Sequence, residues 1–431
     1  MAVESASLPS RIASRELWPF GSARVLVFSA FAIPAAVFYM RFTESYALGT
    51  AMMIMLVLGY QSVLGVGHTV AQPIRLWNAS RVSVLVTLAV LLHLIMTATV
   101  MSVDLGRALA GLILLFLMLL ASAAMAEILL NLPDNRVDAD IKSLAIVMFV
   151  VALIGLVGLG PPPLIGEAWR RPFFPFAEPA GFALPFCPIF IYACVRANAR
   201  RRLALLVLGV AGLALLHTLT LVVAIGLAAL VSLRKRQLIV FGAIAVVILA
   251  QLDLTYYTDR LDFAEDSSNL SSLVYVQGWQ MLLEGLENSD FLGLGFQQLG
   301  VLGTEVSAAQ AIRAMRDGED LNILDGGFVV AKLGAEFGVF GLFAVLVFLV
   351  RACKSIMALR GVVRRGRRMA SVDVLAHAVI VTFLIHLFIR SGGYFTGEVL
   401  VTLVALWIAC GSKLRAQRNE TAAVGGQQAG A

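Results

Sequence analysis

Charge is what this chain has least of. Asp, Glu, Lys and Arg supply 14% of its 431 residues, against about 25% in ordinary soluble domains. With 60% hydrophobic residues beside that, a conventional soluble enzyme is excluded. The four cysteines, Cys187, Cys194, Cys353 and Cys410, show no disulfide or metal-ligand spacing. Met1 to Phe20 lacks an early apolar core, so no cleavable signal is expected. The Gly-rich run Gly293-Leu294-Gly295-Phe296 is followed by no GK[ST], which leaves it a turn and not a phosphate loop. The formal net charge is +6. Its basic residues sit between apolar runs, where membrane topology places them, so no nucleic-acid partner is expected.

What the chain does have is apolar runs near the ~20 residues that span a bilayer. The expected fold is an all-α polytopic membrane protein. Runs at about 25–40, 47–66, 82–101, 108–130, 142–160 and 183–195 come first, with a short outer loop at 161–182. The run 203–233 is long for one span and short for two. Arg200–Arg202 precede it and Arg234, Lys235 and Arg236 follow it, so both ends belong inside. That requires two short passes with a tight turn near His217-Thr218-Leu219-Thr220. Spans at about 238–252, 328–350, 371–389 and 394–411 complete twelve. Residues 1–252 thus hold nine helices, 253–327 a large outer loop, 328–411 three more helices, and 412–431 a disordered cytoplasmic tail. Both termini are expected in the cytoplasm.

The stretch Asp253–Asp325 carries thirteen of the chain's 27 acidic residues and three basic ones, Arg260, Arg313 and Arg316. Unsatisfied polar backbone cannot sit in hydrocarbon, so this stretch leaves the bilayer. Ser271-Ser272 can cap a helix there, with Leu273, Val276, Trp279, Leu283 and Leu286 at helical spacing behind it. Such a helix fits the membrane surface. A second helix, about 305–316, puts Arg313 and Arg316 on one face. Nine cations fall on the outer side, where topology gives no reason for them: Arg41, Arg107, Arg170, Arg171, Arg260, Arg313, Arg316, Lys332 and Arg390.

Four segments resemble the O-antigen polymerase and O-antigen ligase superfamily, and look closest to the exopolysaccharide repeat-unit (Wzy-type) polymerases. They are Arg171-Pro172-Phe173-Phe174-Pro175-Phe176-Ala177-Glu178-Pro179-Ala180-Gly181; Asn269-Leu270-Ser271-Ser272 with Gln277-Gly278-Trp279 and Gly293 to Phe296; Asp325-Gly326-Gly327-Phe328 with Lys332, Glu336-Phe337-Gly338 and Gly341; and Arg390 to Gly397. One departure is Asp325, which stands where the ligases carry a His.

The resemblance implies a GT-C-like arrangement of about twelve helices in a bacterial inner membrane. It implies a metal-independent glycosyltransferase without cofactor. Undecaprenyl-diphosphate-linked oligosaccharides would be donor and acceptor, and a chain-length regulator and a flippase are candidate membrane partners. The diphosphate needs fixed positive charge, for which Arg170, Arg171, Arg260, Arg390 and Lys332 are candidates. The acceptor hydroxyl needs a base, for which Asp325 comes first and Glu178 second. His217, His386, Glu336 and Tyr394 are secondary. Simpler roles stand beside these. Arg313 and Arg316 fit solvated ion pairs with Asp317, Glu319 and Asp320. Lys332 and Glu336 fit a structural i,i+4 pair, and Asp325 fits a helix N-cap. Trp169, Phe173, Phe174 and Phe176 fit an interfacial belt. The rival functions are a ligase acting on a lipid acceptor, a transporter or flippase of lipid-linked sugars, and a non-catalytic scaffold.

Overall fold

The computed structural model describes residues 22–43, 45–66, 73–165, 172–249, 267–301 and 303–411. Among them every regular element is a helix. In chain order these are α1 (Ala23–Tyr39), α2 (Ala47–Val66), α3 (Pro73–Ala98), α4 (Leu105–Asn131), α5 (Asp134–Leu156), α6 (Pro179–Arg196), α7 (Ala199–Leu216), α8 (Leu219–Ser232), α9 (Lys235–Leu249), α10 (Leu270–Asn288), α11 (Ser307–Met315), α12 (Val329–Arg365), α13 (Ser371–Phe388) and α14 (Gly397–Gly411). Among the described residues six helices are long and apolar enough to cross a membrane: α3, α4, α5, α6, α12 and α13. Large apolar side chains point outward from several helices, among them Leu85, Ile239 and Phe343. So much uncovered apolar surface is consistent with a polytopic membrane protein.

Residues 203–233 break into two helices at the expected place. His217 takes the left-handed conformation, φ 49° and ψ 53°, and ends α7. The Thr218 hydroxyl accepts the Leu221 amide at 3.1 Å and starts α8. In the same way Asp104 caps α4 and Asn198 caps α7.

Helices in lipid gain little from burying apolar surface against each other, so close approach of backbones carries the packing. A Cβ on Gly49 of α2 would lie 2.5 Å from Pro34 Cα, and one on Gly397 of α14 would lie 2.1 Å from the Ala30 carbonyl. Both contacts seat α1. Polar clasps stitch one end of the bundle. Asp140 accepts from the Ser22 hydroxyl and the Ala23 amide at 2.9 and 2.8 Å. Asp134 accepts the Ser371 amide at 2.5 Å, and Arg196 donates to the Ser371 hydroxyl at 2.6 Å. The starts of α1, α5 and α13 and the end of α6 therefore meet there.

Helix α10 departs from the expected stripe. Its cap is the Asn269 side chain, which accepts the Ser271 amide at 2.9 Å, and not the serine pair. Its buried face includes Leu273, Gln277, Gly278, Met281, Gly285 and Leu286, while Leu283 is 56% exposed. The face packs on α12 and the turn before it. A Cβ on Gly278 would fall 2.4 Å from the Gly326 carbonyl, and one on Gly285 would fall 3.0 Å from Ala335 Cβ. Missing side chains set this contact, and an apolar stripe does not count them.

Helix α12 is broken at Gly338, with φ 55° and ψ −134°. The segment Phe291–Gly295 fills the break. Leu294 and Gly295 donate their amides to the carbonyls of Ala335 and Glu336, both at 2.9 Å. Val339 donates to the Phe291 carbonyl at 3.1 Å. The loop thus gives partners to the Ala335 and Glu336 carbonyls and the Val339 amide at the kink, which is how a helix interrupted among apolar neighbours stays satisfied.

Candidate functional site

The same loop is held from three further sides. His93 of α3 bonds the Leu292 carbonyl through Nε2 at 3.0 Å. Gln298 clasps the backbone of Asp104, accepting its amide at 2.7 Å and donating to its carbonyl at 3.1 Å. Gly111 lets α4 approach, since a Cβ there would lie 2.9 Å from Gln297 Cγ. The Gly293–Phe296 run is thus the turn the sequence suggests, with Gly293 and Gly295 both near φ +98°.

Two opposite charges lie beneath it. Glu336 is 0% exposed and Lys332 1% exposed. Glu336 accepts the Gln297 amide at 3.0 Å with one oxygen and the Leu299 amide at 3.2 Å with the other. Lys332 stands 3.6 Å from Glu336 and 3.6 Å from Asp325, and donates to the Leu324 carbonyl. Its ammonium also sits 5.2 Å from the ring centre of Tyr394, which stacks on Phe296. The Tyr394 hydroxyl is buried beside Glu336. Both members of the pair are committed to structure, so Lys332 holds Asp325 rather than a free ligand.

Asp325 is held at the surface of this unit, its side chain 32% exposed. The turn that carries it is fixed by Asp325 and Gly326 amides donating to the Asn322 carbonyl at 3.1 and 2.9 Å. The Ser391 amide donates to the Gly327 carbonyl at 2.8 Å and brings the α13–α14 turn alongside. Gly393 then passes so close that a Cβ would lie 2.4 Å from Asp325 Oδ1. Asp325 is not the cap of α12, whose N-cap position is Phe328.

The fourth wall comes from the segment before α6. Phe173 and Phe176 are 1% and 2% exposed and pack on Phe182 at 4.9 and 5.8 Å between ring centres. This corrects the belt reading: these rings anchor the loop into the core. Glu178, which follows, occupies the N-cap position of α6 but does not cap it. Its carboxylate turns to Arg390 and accepts from Nη2. The two side chains are 46% and 39% exposed. Tyr46, stacked on Phe38 at 4.4 Å, lies within electrostatic range of Glu398, Arg390, Glu178 and Asp325. Burial pushes its phenol above the usual value, Glu398 adds to the push, and Arg390 opposes it. Tyr46 therefore stays a donor at neutral pH.

Six of the residues singled out from sequence are thus brought together: Glu178, Asp325, Lys332, Glu336, Arg390 and Tyr394. Arg170, Arg171 and Arg260 lie outside the described residues, as do Trp169 and the tail 412–431. His386 is buried in α13, stacked on Phe383 at 5.5 Å. His217 serves the α7–α8 turn, with Nδ1 3.2 Å from the Leu215 carbonyl. Arg313 and Arg316 pair with Asp320 and Glu319, each at 2.7 Å, as exposed ion pairs. Sequence reasoning passed over Tyr46 and Glu398. The available signal for Glu398 was a carboxylate one residue into an apolar run.

No protein-family model and no curated protein matches the chain.

Among the described residues the cluster sets four carboxylates, Glu178, Asp325, Glu336 and Glu398, against two cations, Lys332 and Arg390. No group of three or more His, Cys, Asp or Glu among them is arranged to hold a metal ion. What remains reachable is Asp325, Glu178 and Arg390. Carboxylates of this kind accept hydroxyl protons or hydrogen bonds, and a guanidinium grips an oxyanion.

Proposed function

We propose that this protein is a polytopic inner-membrane glycosyltransferase of the O-antigen polymerase type. It joins polyprenyl-diphosphate-linked oligosaccharide repeats at the periplasmic face. In this reading twelve helices cross the membrane and both termini are cytoplasmic. The described helices α1 to α9 and α12 to α14 supply the spans, and α10 and α11 belong to the outer loop. Asp325 is the base for the acceptor hydroxyl, and Arg390 receives one phosphate of the leaving group.

One observation carries the reading. Three separate connections, before α6, before α12 and between α13 and α14, bring Glu178, Asp325 and Arg390 to one end of the bundle, still open to solvent. An acid–base pair of functions and a phosphate-binding guanidinium are what transfer from a lipid diphosphate to a hydroxyl needs.

The test is extension of a lipid-linked oligosaccharide by the purified protein in detergent. The expected product is a ladder of lengthened glycans, made without a sealed membrane, which a transporter would require. A gene deletion should leave single repeats on the carrier lipid. No ladder from a competent substrate, together with normal polymer in the deletion, overturns the assignment.

A further inference from the structure

We propose that Glu178 is a resident anion on Arg390 that an incoming phosphate oxyanion displaces. The inference rests on the glycosyl-transfer reading only for the source of that phosphate.

Glu178 occupies the N-cap position of α6, yet its side chain makes no bond to the α6 amides and turns to Arg390. A carboxylate near a helix N-terminus is ordinarily favoured by the helix dipole. The diversion keeps the Arg390 guanidinium neutralised by one partner among the described residues, and a guanidinium has five donors. The backbone around Arg390 is fixed independently of Glu178: its amide donates to the Ile385 carbonyl at 3.1 Å, and the next amide bonds Gly327. The pair is about two-fifths exposed on both sides. Exposed pairs of this kind are weak. A phosphate or diphosphate offers more charge and more acceptor oxygens to the same fork.

Lys332 makes the contrast. It is buried with its donors spent on Asp325, Glu336 and Leu324. Of the two cations in the cluster, Arg390 alone can exchange its partner. Displacement also frees the Glu178 carboxylate at the moment the phosphate arrives, within electrostatic range of Tyr46.

The experiment measures binding of farnesyl diphosphate and of inorganic pyrophosphate to the full-length protein in detergent by titration calorimetry. Removing the resident anion should tighten binding, so Glu178→Gln and Glu178→Ala are expected to bind about fivefold more tightly than the native protein, ~1 kcal/mol. Arg390→Ala should lose most of the affinity. The gain from Glu178→Gln must vanish in the Arg390→Ala background. An equal gain in both backgrounds means general relief of negative charge and overturns the proposal. So does unchanged affinity in Glu178→Gln, which keeps the side-chain shape and stands in if Glu178→Ala does not fold. A gain for farnesyl diphosphate alone supports displacement by a lipid diphosphate, and a gain for both probes supports displacement by the bare phosphate group. Tighter binding without glycan extension keeps the exchange and removes the polymerase reading. Extension with unaltered probe affinity does the reverse.

Discussion

The Val339 amide donates to the Phe291 carbonyl at 3.1 Å, across a break that an uninterrupted helix would have closed onto Ala335. The loop is therefore spliced into the backbone of α12. Glu336 lies two residues before the break and reaches the next amides of the same loop, Gln297 and Leu299. Lys332 lies one turn earlier again and reaches Asp325. A continuous chain of bonds thus runs from the loop turn to the exposed carboxylate.

Gly338 is the point where that splice is most exposed to substitution. Its φ and ψ are restricted to glycine, and a Cβ would come 2.0 Å from the Phe291 carbonyl. Strained backbone of this kind costs ~1–3 kcal/mol before the overlap is counted. Gly338→Ala should lower the thermal midpoint in detergent clearly. Gly59→Ala on α2, where nothing lies within 4 Å of the added atom, should not lower it. Equal midpoints in the two variants would remove the splice as a structural element.

The buried pair gives a signed prediction. Lys332→Met takes the counter-ion from Glu336, which is 0% exposed, and breaking a buried pair by removing one partner costs about 3–5 kcal/mol. Lys332→Met/Glu336→Gln removes both charges while the amide oxygen still accepts from the loop. The double variant should be more stable than Lys332→Met alone, as read from unfolding midpoints. A double variant that unfolds earlier than both singles contradicts a pairing role.

Much of this was visible before the structure, for reasons that differ by element. The break at His217 followed from basic residues on both flanks of an apolar run. Lys332 and Glu336 showed their pairing through i,i+4 spacing. Other partners carry no sequence signal at all. His93 bonds a backbone carbonyl 199 residues away, and every residue offers one. Tyr46 was missed because the search began from outer cations, and a tyrosine at a helix start looks like an interfacial ring. The face of α10 was misread because Gly278 and Gly285 pack by absence. Phe173 and Phe176 looked like surface aromatics because the fold that buries them is built from distant helices.

The topology has its own reporter. Cys353 is exposed on α12, between Arg351 and Lys354, on the stretch the twelve-span arrangement puts in the cytoplasm. Cys187 and Cys194 are buried and should react after unfolding. In a Cys410→Ser background, a membrane-impermeant maleimide should label Cys353 in inverted vesicles and leave it untouched in spheroplasts. Labelling in spheroplasts would reverse the sidedness of α12 and place the Asp325 cluster in the cytoplasm.

Asp325 and Gly393 should behave as one unit in catalysis. Asp325→Asn keeps the shape and removes the base, so glycan extension should fall ~10²–10⁴-fold with little change in unfolding midpoint, because the side chain is partly exposed. Gly393→Ala introduces a Cβ 2.4 Å from Oδ1 in a backbone at φ 87°. It should displace the carboxylate and cause a loss of similar size with Asp325 itself unaltered. If both act through the position of that one carboxylate, Gly393→Ala/Asp325→Asn is no slower than Asp325→Asn alone. Multiplying losses in the double variant would mean that the glycine turn serves some other part of the reaction, such as seating the acceptor. Full activity in Asp325→Asn would take the base role away from Asp325 and leave Glu178 as its holder.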